Sequence, residues 1–172
     1  YTFLRGRHLP TGKSLVEDAL VDTAADLEQE ASAKGVNLVL PTDHLVTTTI
    51  QSDASSTLMD VDDERIANRI GVDIGPQTQK HFSETIKTAE TVIWNGPMGV
   101  FEIDAFSKGT LAIAKAVAQS KGTTVIGGGD SVAAIQKAAV TEKVSHVSTG
   151  GGASLEFLGG RILPGVAALP DC

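Results

Sequence analysis

Three short apolar runs, Thr91-Val92-Ile93-Trp94, Thr123-Thr124-Val125-Ile126 and Val144-Ser145-His146-Val147, are each followed by a glycine-bearing loop. The loops are Asn95-Gly96-Pro97-Met98-Gly99, Gly127-Gly128-Gly129-Asp130 and Thr149-Gly150-Gly151-Gly152. After each loop the apolar spacing turns helical. Asp104 can cap a helix carrying Phe106, Thr110, Ile113 and Val117, and helices are predicted over Ser131 to Ala139 and Ala153 to Leu158. Runs that are apolar throughout, rather than alternating, suit strands covered on both faces, and helix crossovers are what cover them.

Upstream the same pattern is expected to begin earlier. Ser14-Leu15-Val16-Glu17 has the form of a capping box, and Val16, Leu20, Ala24, Leu27 and Ala31 recur at helical spacing until Lys34-Gly35. Val36-Asn37-Leu38-Val39-Leu40 reads as a strand stopped by Pro41, the polar stretch from Gln51 to Arg65 as an exposed excursion, and Gly75-Pro76 as the opening of a helix with Phe82, Ile86 and Ala89 on one side. Strand then helix four times over predicts an α/β fold, a Rossmann-like three-layer sandwich with a mostly parallel sheet. In such a sheet the loops after the strands' carboxyl ends share one edge, where ligands bind.

With 172 residues, 41% of them hydrophobic and 20% charged, the chain can bury a core without staples, and its apolar runs are too short for a membrane span. A net charge of −7 with no basic cluster argues against nucleic acid and anionic membrane as partners. The single cysteine, Cys172, cannot form an internal disulfide, and the four scattered histidines assemble no zinc site. A reducing, cytoplasmic setting fits. The opening residues from Tyr1 read as neither a signal peptide nor a natural start, so the chain is expected to be a piece of a longer protein, truncated on its N-terminal side.

In Gly127-Gly128-Gly129-Asp130-Ser131, residues without a β-carbon let the backbone approach a ligand, and the amides of the following helix favour negative charge. Asp130 can hold Mg²⁺ against phosphate oxygens and Ser131 supplies a hydroxyl. On the residues alone, the alternative is a tight strand-to-helix turn with Asp130 as its N-cap. Gly150-Gly151-Gly152-Ala153-Ser154 repeats the geometry with the same alternative. Asn95 can bond phosphate and Glu102 can accept from ribose hydroxyls, or both are solvated loop residues. Gly6 to Ser14 mimics a Walker A loop but has five residues between its glycines where four are required, and is rejected. His146 is expected to be a core or interface residue, His8, His44 and His81 surface residues, and Trp94 core packing.

The runs Trp94 to Glu102, Gly127 to Ser131 and Lys143 to Glu156 closely resemble the phosphoglycerate kinase family. The resemblance spans nearly the whole chain, from Tyr1-Thr2-Phe3, similar to the end of a family glycine motif, to Leu163 to Leu169. It implies a two-domain hinge enzyme, of which residues 1–156 are a nucleotide-binding C-terminal domain and 157–172 a tail that packs on an absent N-terminal domain. It also implies ADP or ATP with Mg²⁺ here, 1,3-bisphosphoglycerate or 3-phosphoglycerate on the absent domain, and a monomeric parent. By motif, Gly127, Gly128, Gly129 and Ser131 would meet the phosphates, with Asn95, and Asp130 the metal. Glu102 would meet the ribose, Pro97 and Val100 the cleft wall, and Leu15 and Gly71 the adenine pocket. The amides of Gly150, Gly151 and Gly152, with Gly128, would face the transferred phosphoryl. Ile50 stands where the family commonly has an aromatic, and Asn68 to Asp73 lacks its usual Trp-Met before the glycine.

Two rival readings differ in class. A nucleotide-binding module without catalysis, serving in assembly, is the alternative. A dinucleotide oxidoreductase ranks last, because no G-x-G-x-x-G follows a strand.

Overall fold

The computed structural model describes residues 1–148 and 150–169; Thr149 of the third loop, and the end of the tail with Cys172, lie outside the described residues. The chain divides into two compact units, Tyr1–Phe82 with Met98–Thr110 and Ser83–Pro97 with Leu111–Cys172.

The first unit holds helices α1 (Thr2–Gly6) and α2 (Val21–Ala33) and strands β1 (Asp43–Thr47), β2 (Thr57–Asp60) and β3 (Ile70–Ile74). The strands form an antiparallel sheet in the order β2-β1-β3, with His44 opposite Met59 on one side and Ile74 on the other. Val46, Met59 and Ile66 make its core cluster. Helices α3 (Pro76–Thr88) and α4 (Lys108–Ala118) both begin in this unit, and each start is fixed by a buried carboxylate. Asp43 accepts from the amides of Gln77 and Thr78 at 2.9 and 2.8 Å and from the Thr78 hydroxyl at 2.6 Å. Asp73 accepts from the Gly109 amide at 2.7 Å and the Ile74 amide at 2.9 Å. Amides of a first helical turn have no intrahelical acceptor, so these aspartates cap α3 and α4 from across the fold.

The second unit holds β4 (Thr91–Asn95), β5 (Thr123–Gly127) and β6 (His146–Ser148), parallel and in that order, with α4 and α5 (Gly129–Lys137) as the crossovers. Helices α6 (Gly151–Leu158) and α7 (Pro164–Ala167) follow. Trp94, Ile126 and Ile135 are buried, as apolar strand and helix faces require. The protein is thus an α/β fold with a parallel sheet. Among the described residues no helix is long and apolar enough to cross a membrane.

Four details upstream differ from the sequence reading. Ser14 caps no helix: its hydroxyl accepts the Gly71 amide at 2.9 Å, and α2 starts later, after a short 3-10 turn over Asp18–Leu20. The run Val36 to Leu40 is not a strand. An apolar run becomes a strand only where a neighbour takes its backbone bonds, and here pairing starts beyond Pro41, at Asp43. The stretch from Gln51 to Arg65 is not simply an excursion, since it contains β2 and buries Met59. His44 is a core residue, 3% exposed, with Nδ1 2.8 Å from the Tyr1 hydroxyl. Burial lowers its pKa, against the opposing pull of Asp43, Asp63 and Asp60.

Candidate functional site

The strand register brings Asn95, Gly127 and Ser148 into line at the carboxyl ends of β4, β5 and β6. After β5 the chain turns on glycine, which puts backbone at the edge beside the Asn95 carboxamide. Gly128 has φ of +88°, open to glycine at little cost, and its amide donates to the Ser148 carbonyl at 3.1 Å. A β-carbon on Gly151 would lie 2.6 Å from the Gly128 α-carbon and 3.0 Å from the Asn95 carboxamide oxygen. That oxygen would also stand 3.1 and 3.2 Å from β-carbons built on Gly127 and Gly128. The three loops predicted to share an edge therefore meet at Asn95, Gly128 and Gly151, and the meeting requires glycine at 151 because the opposing atoms are backbone.

Both following helices begin at this point without a side-chain cap. Gly128 is the N-cap of α5 and Gly150 of α6, and neither carries a side-chain acceptor. The amides of Gly129, Asp130 and Ser131 in the first turn of α5, and of Gly151 and Gly152 in α6, have no acceptor within their helices, and the helix dipoles add partial positive charge. The arrangement can bind an anion with several oxygens. Asp130, exposed, adds a carboxylate to the first turn of α5. Among the described residues no group of three or more His, Cys, Asp or Glu side chains gathers as a metal cage. A lone carboxylate beside open amides fits a Mg²⁺ ion that takes its other ligands from water and phosphate.

The remaining residues named from the sequence are distributed as follows. Ser131 is 1% exposed, and its hydroxyl accepts the Gly96 amide at 2.6 Å. Pro97 continues that turn in the second unit. Leu15, Gly71, Val100 and Glu102 belong to the first unit. There the Gly71 amide bonds Ser14, and the Val100 amide bonds the Val72 carbonyl at 2.8 Å, so the segments carrying Leu15, Gly71 and Val100 gather along β3. A cavity of about 200 Å³ opens beside Gly71, bounded by Tyr1, Phe3, Val72 and Met98. Leu15 is 85% exposed, and Glu102 is exposed.

Sequence reasoning missed two contributors to the cradle. One is the Ser148 carbonyl that anchors Gly128. The other is the Trp94 indole, which donates to the Gly96 carbonyl at 2.6 Å. The only signal for it was a tryptophan placed directly before Asn-Gly at a strand end, a position that packing alone also explains.

The family model for phosphoglycerate kinase matches residues 1–161. The chain belongs to the phosphoglycerate kinase family. It is 52% identical over 169 residues to a phosphoglycerate kinase of Leptospira biflexa, covering 98% of this chain and 42% of the relative. It is 53% identical over 174 residues to one of Chlorobium phaeobacteroides, covering 99% and 44%. Among solved structures, phosphoglycerate kinase from Coxiella burnetii superposes with a TM-score of 0.92 at 43% identity, covering 96% of this chain and 43% of that one. The enzyme from Pyrococcus horikoshii does so with 0.81 at 32% identity. The chain thus spans less than half the length of the family members it matches.

Proposed function

We propose that this chain is the nucleotide-binding part of a cytoplasmic phosphoglycerate kinase, holding MgADP or MgATP. The parent would transfer a phosphoryl group reversibly between 1,3-bisphosphoglycerate and ADP. The observation that carries this reading is the meeting of Asn95, Gly128 and Gly151 where two helices start uncapped. A polyphosphate needs many donors and no competing carboxylate cap, and this edge offers that combination.

In this reading Gly127, Gly128, Gly129 and Ser131 hold the nucleotide phosphates, with Asn95 beside them. The amides of Gly150, Gly151 and Gly152 stabilise charge on the phosphoryl in transfer, which is most of what a protein contributes to this chemistry, and Gly128, whose amide donates to the Ser148 carbonyl, lets the loops close up around it. Asp130 would hold Mg²⁺, which neutralises phosphate charge. Leu15, Gly71, Val100 and Pro97 supply apolar surface for the base, and Glu102 accepts from the ribose. Residues 1–156 act as the nucleotide domain. Residues 157–172 form a tail that packs on the remainder of a monomeric parent, where the glycerate substrate binds.

Calorimetric titration with ADP tests the metal and phosphate roles together. MgADP should bind about tenfold more tightly than metal-free ADP, the size of one charge-assisted contact. Asp130→Asn should abolish that difference and leave the metal-free affinity little changed. Equal affinity with and without Mg²⁺ in the unsubstituted chain would remove the proposal.

A further inference from the structure

The turn that carries Asn95 needs an explanation of its own. Gly96 has φ of +106°, a region that glycine enters freely, and the Pro97 that follows narrows its ψ without fixing that φ, so local geometry alone does not complete the turn. Two bonds do. The Gly96 amide donates to the Ser131 hydroxyl oxygen at 2.6 Å, and the Gly96 carbonyl accepts from the Trp94 indole at 2.6 Å. Both partners are buried, Ser131 at 1% and Trp94 at 6% exposure. Bonds to buried side chains are expensive to lose, because the abandoned side-chain group stays desolvated, although Gly96 itself is only half-buried. The peptide so clamped directly follows Asn95, whose carboxamide oxygen sits against Gly127, Gly128 and Gly151.

We propose that Ser131 is a positioning residue. Its hydroxyl fixes the Asn95–Gly96 turn against the two glycine loops, and it serves a bound polyphosphate through that turn rather than by a hydroxyl contact. The polyphosphate in this statement rests on the nucleotide reading above; the clamp does not. Burial of the hydroxyl gives the physical ground, since a side chain this enclosed offers no open face to a ligand. A threonine at the position keeps the acceptor and so keeps the clamp. Alanine removes it, and cysteine, nearly the same size but a weak acceptor, weakens it.

The test is amide hydrogen exchange by nuclear magnetic resonance on the 172-residue chain. The Gly96 amide should be protected in the parent sequence, and Ser131→Ala should speed its exchange about tenfold. Ser131→Thr should leave it protected, and the amides of β5 should be unaffected in both. If Ser131→Ala loses β5 protection as well, Ser131→Cys replaces it, with the same faster Gly96 exchange expected. In MgADP titrations Ser131→Ala should bind more weakly and Ser131→Thr should restore the affinity. Saturating MgADP should leave Gly96 at least as protected as before. Gly96 exchange indifferent to alanine or cysteine would overturn the clamp. Faster Gly96 exchange on adding MgADP would overturn the assignment too, because it means the hydroxyl leaves the turn for the phosphate. Should MgADP fail to bind the unsubstituted chain, the nucleotide reading falls, and the ligand-free Gly96 comparison still decides the clamp.

Discussion

The two units solve the same problem, the unpaired amides at a helix start, in opposite ways. In the first unit α3 and α4 are closed by Asp43 and Asp73, carboxylates buried at 0% and 4% exposure and reaching in from strands. In the second unit α5 and α6 begin at Gly128 and Gly150 with no side-chain cap among the described residues. A capped helix start contributes to stability and is unavailable to a ligand; an uncapped one forgoes that stability and keeps its donors for an anion. The contrast separates helix starts closed by buried carboxylates from helix starts that begin on glycine.

The largest effect is expected where the first unit would lose its internal cap. Asp43→Ala leaves two amides and the Thr78 hydroxyl without the carboxylate in a closed site, and should cost about 3 kcal/mol, read as a lower urea midpoint. A loss below about 1 kcal/mol would mean that the carboxylate is not what holds α3.

The second cap should reveal itself through pH. Burial raises the Asp73 pKa to about 6, even though the Gly109 and Ile74 amides oppose the shift. A carboxyl whose pKa is higher in the folded state binds its proton more tightly there. Its stabilising contribution is therefore complete below the unfolded value of about 3.9 and is lost as pH rises through the folded one. The stability of the parent chain relative to Asp73→Asn should fall by roughly 2 kcal/mol between pH 4 and pH 7.5. A difference that does not change with pH would place Asp73 in ordinary, solvated surroundings.

The smallest effect comes from giving the second unit what it lacks. Gly150 has φ of −88°, which any residue adopts, and a β-carbon there would have only ordinary contacts at 3.9 Å. Gly150→Asp should add about 0.5 kcal/mol to stability by capping α6, while weakening MgADP through charge repulsion. If it stabilises and leaves nucleotide affinity unchanged, the open start of α6 has no part in binding.

Legibility from sequence followed the same division. The parallel strands and their loops were readable because apolar runs, glycine clusters and helical spacing are local patterns, and the register then lines up Asn95, Gly127 and Ser148 without further information. The antiparallel sheet was not readable. Its central strand opens on Asp43 and His44, and β2 buries a single methionine, so neither stands out until its neighbour is known. His44 was expected at the surface for the same reason. Ser14 shows the matching error in a motif: the capping-box pattern is present, but its hydroxyl serves Gly71, distant in sequence.

Residue by residue, the chain already displays an inventory: the apolar runs of the parallel strands, where glycine frees the backbone, and that a carboxylate and a hydroxyl accompany the second loop. Those properties depend on residue type and near neighbours alone. The tertiary structure decided how the polar groups are spent. It gave Asp43 and Asp73 to helices they do not adjoin, turned the Ser131 hydroxyl inward to Gly96, and left the starts of α5 and α6 open. The Asp43, Asp73 and Ser131 outcomes each depend on a hydrogen-bond partner far along the chain, and only the folded backbone brings the two groups within bonding distance.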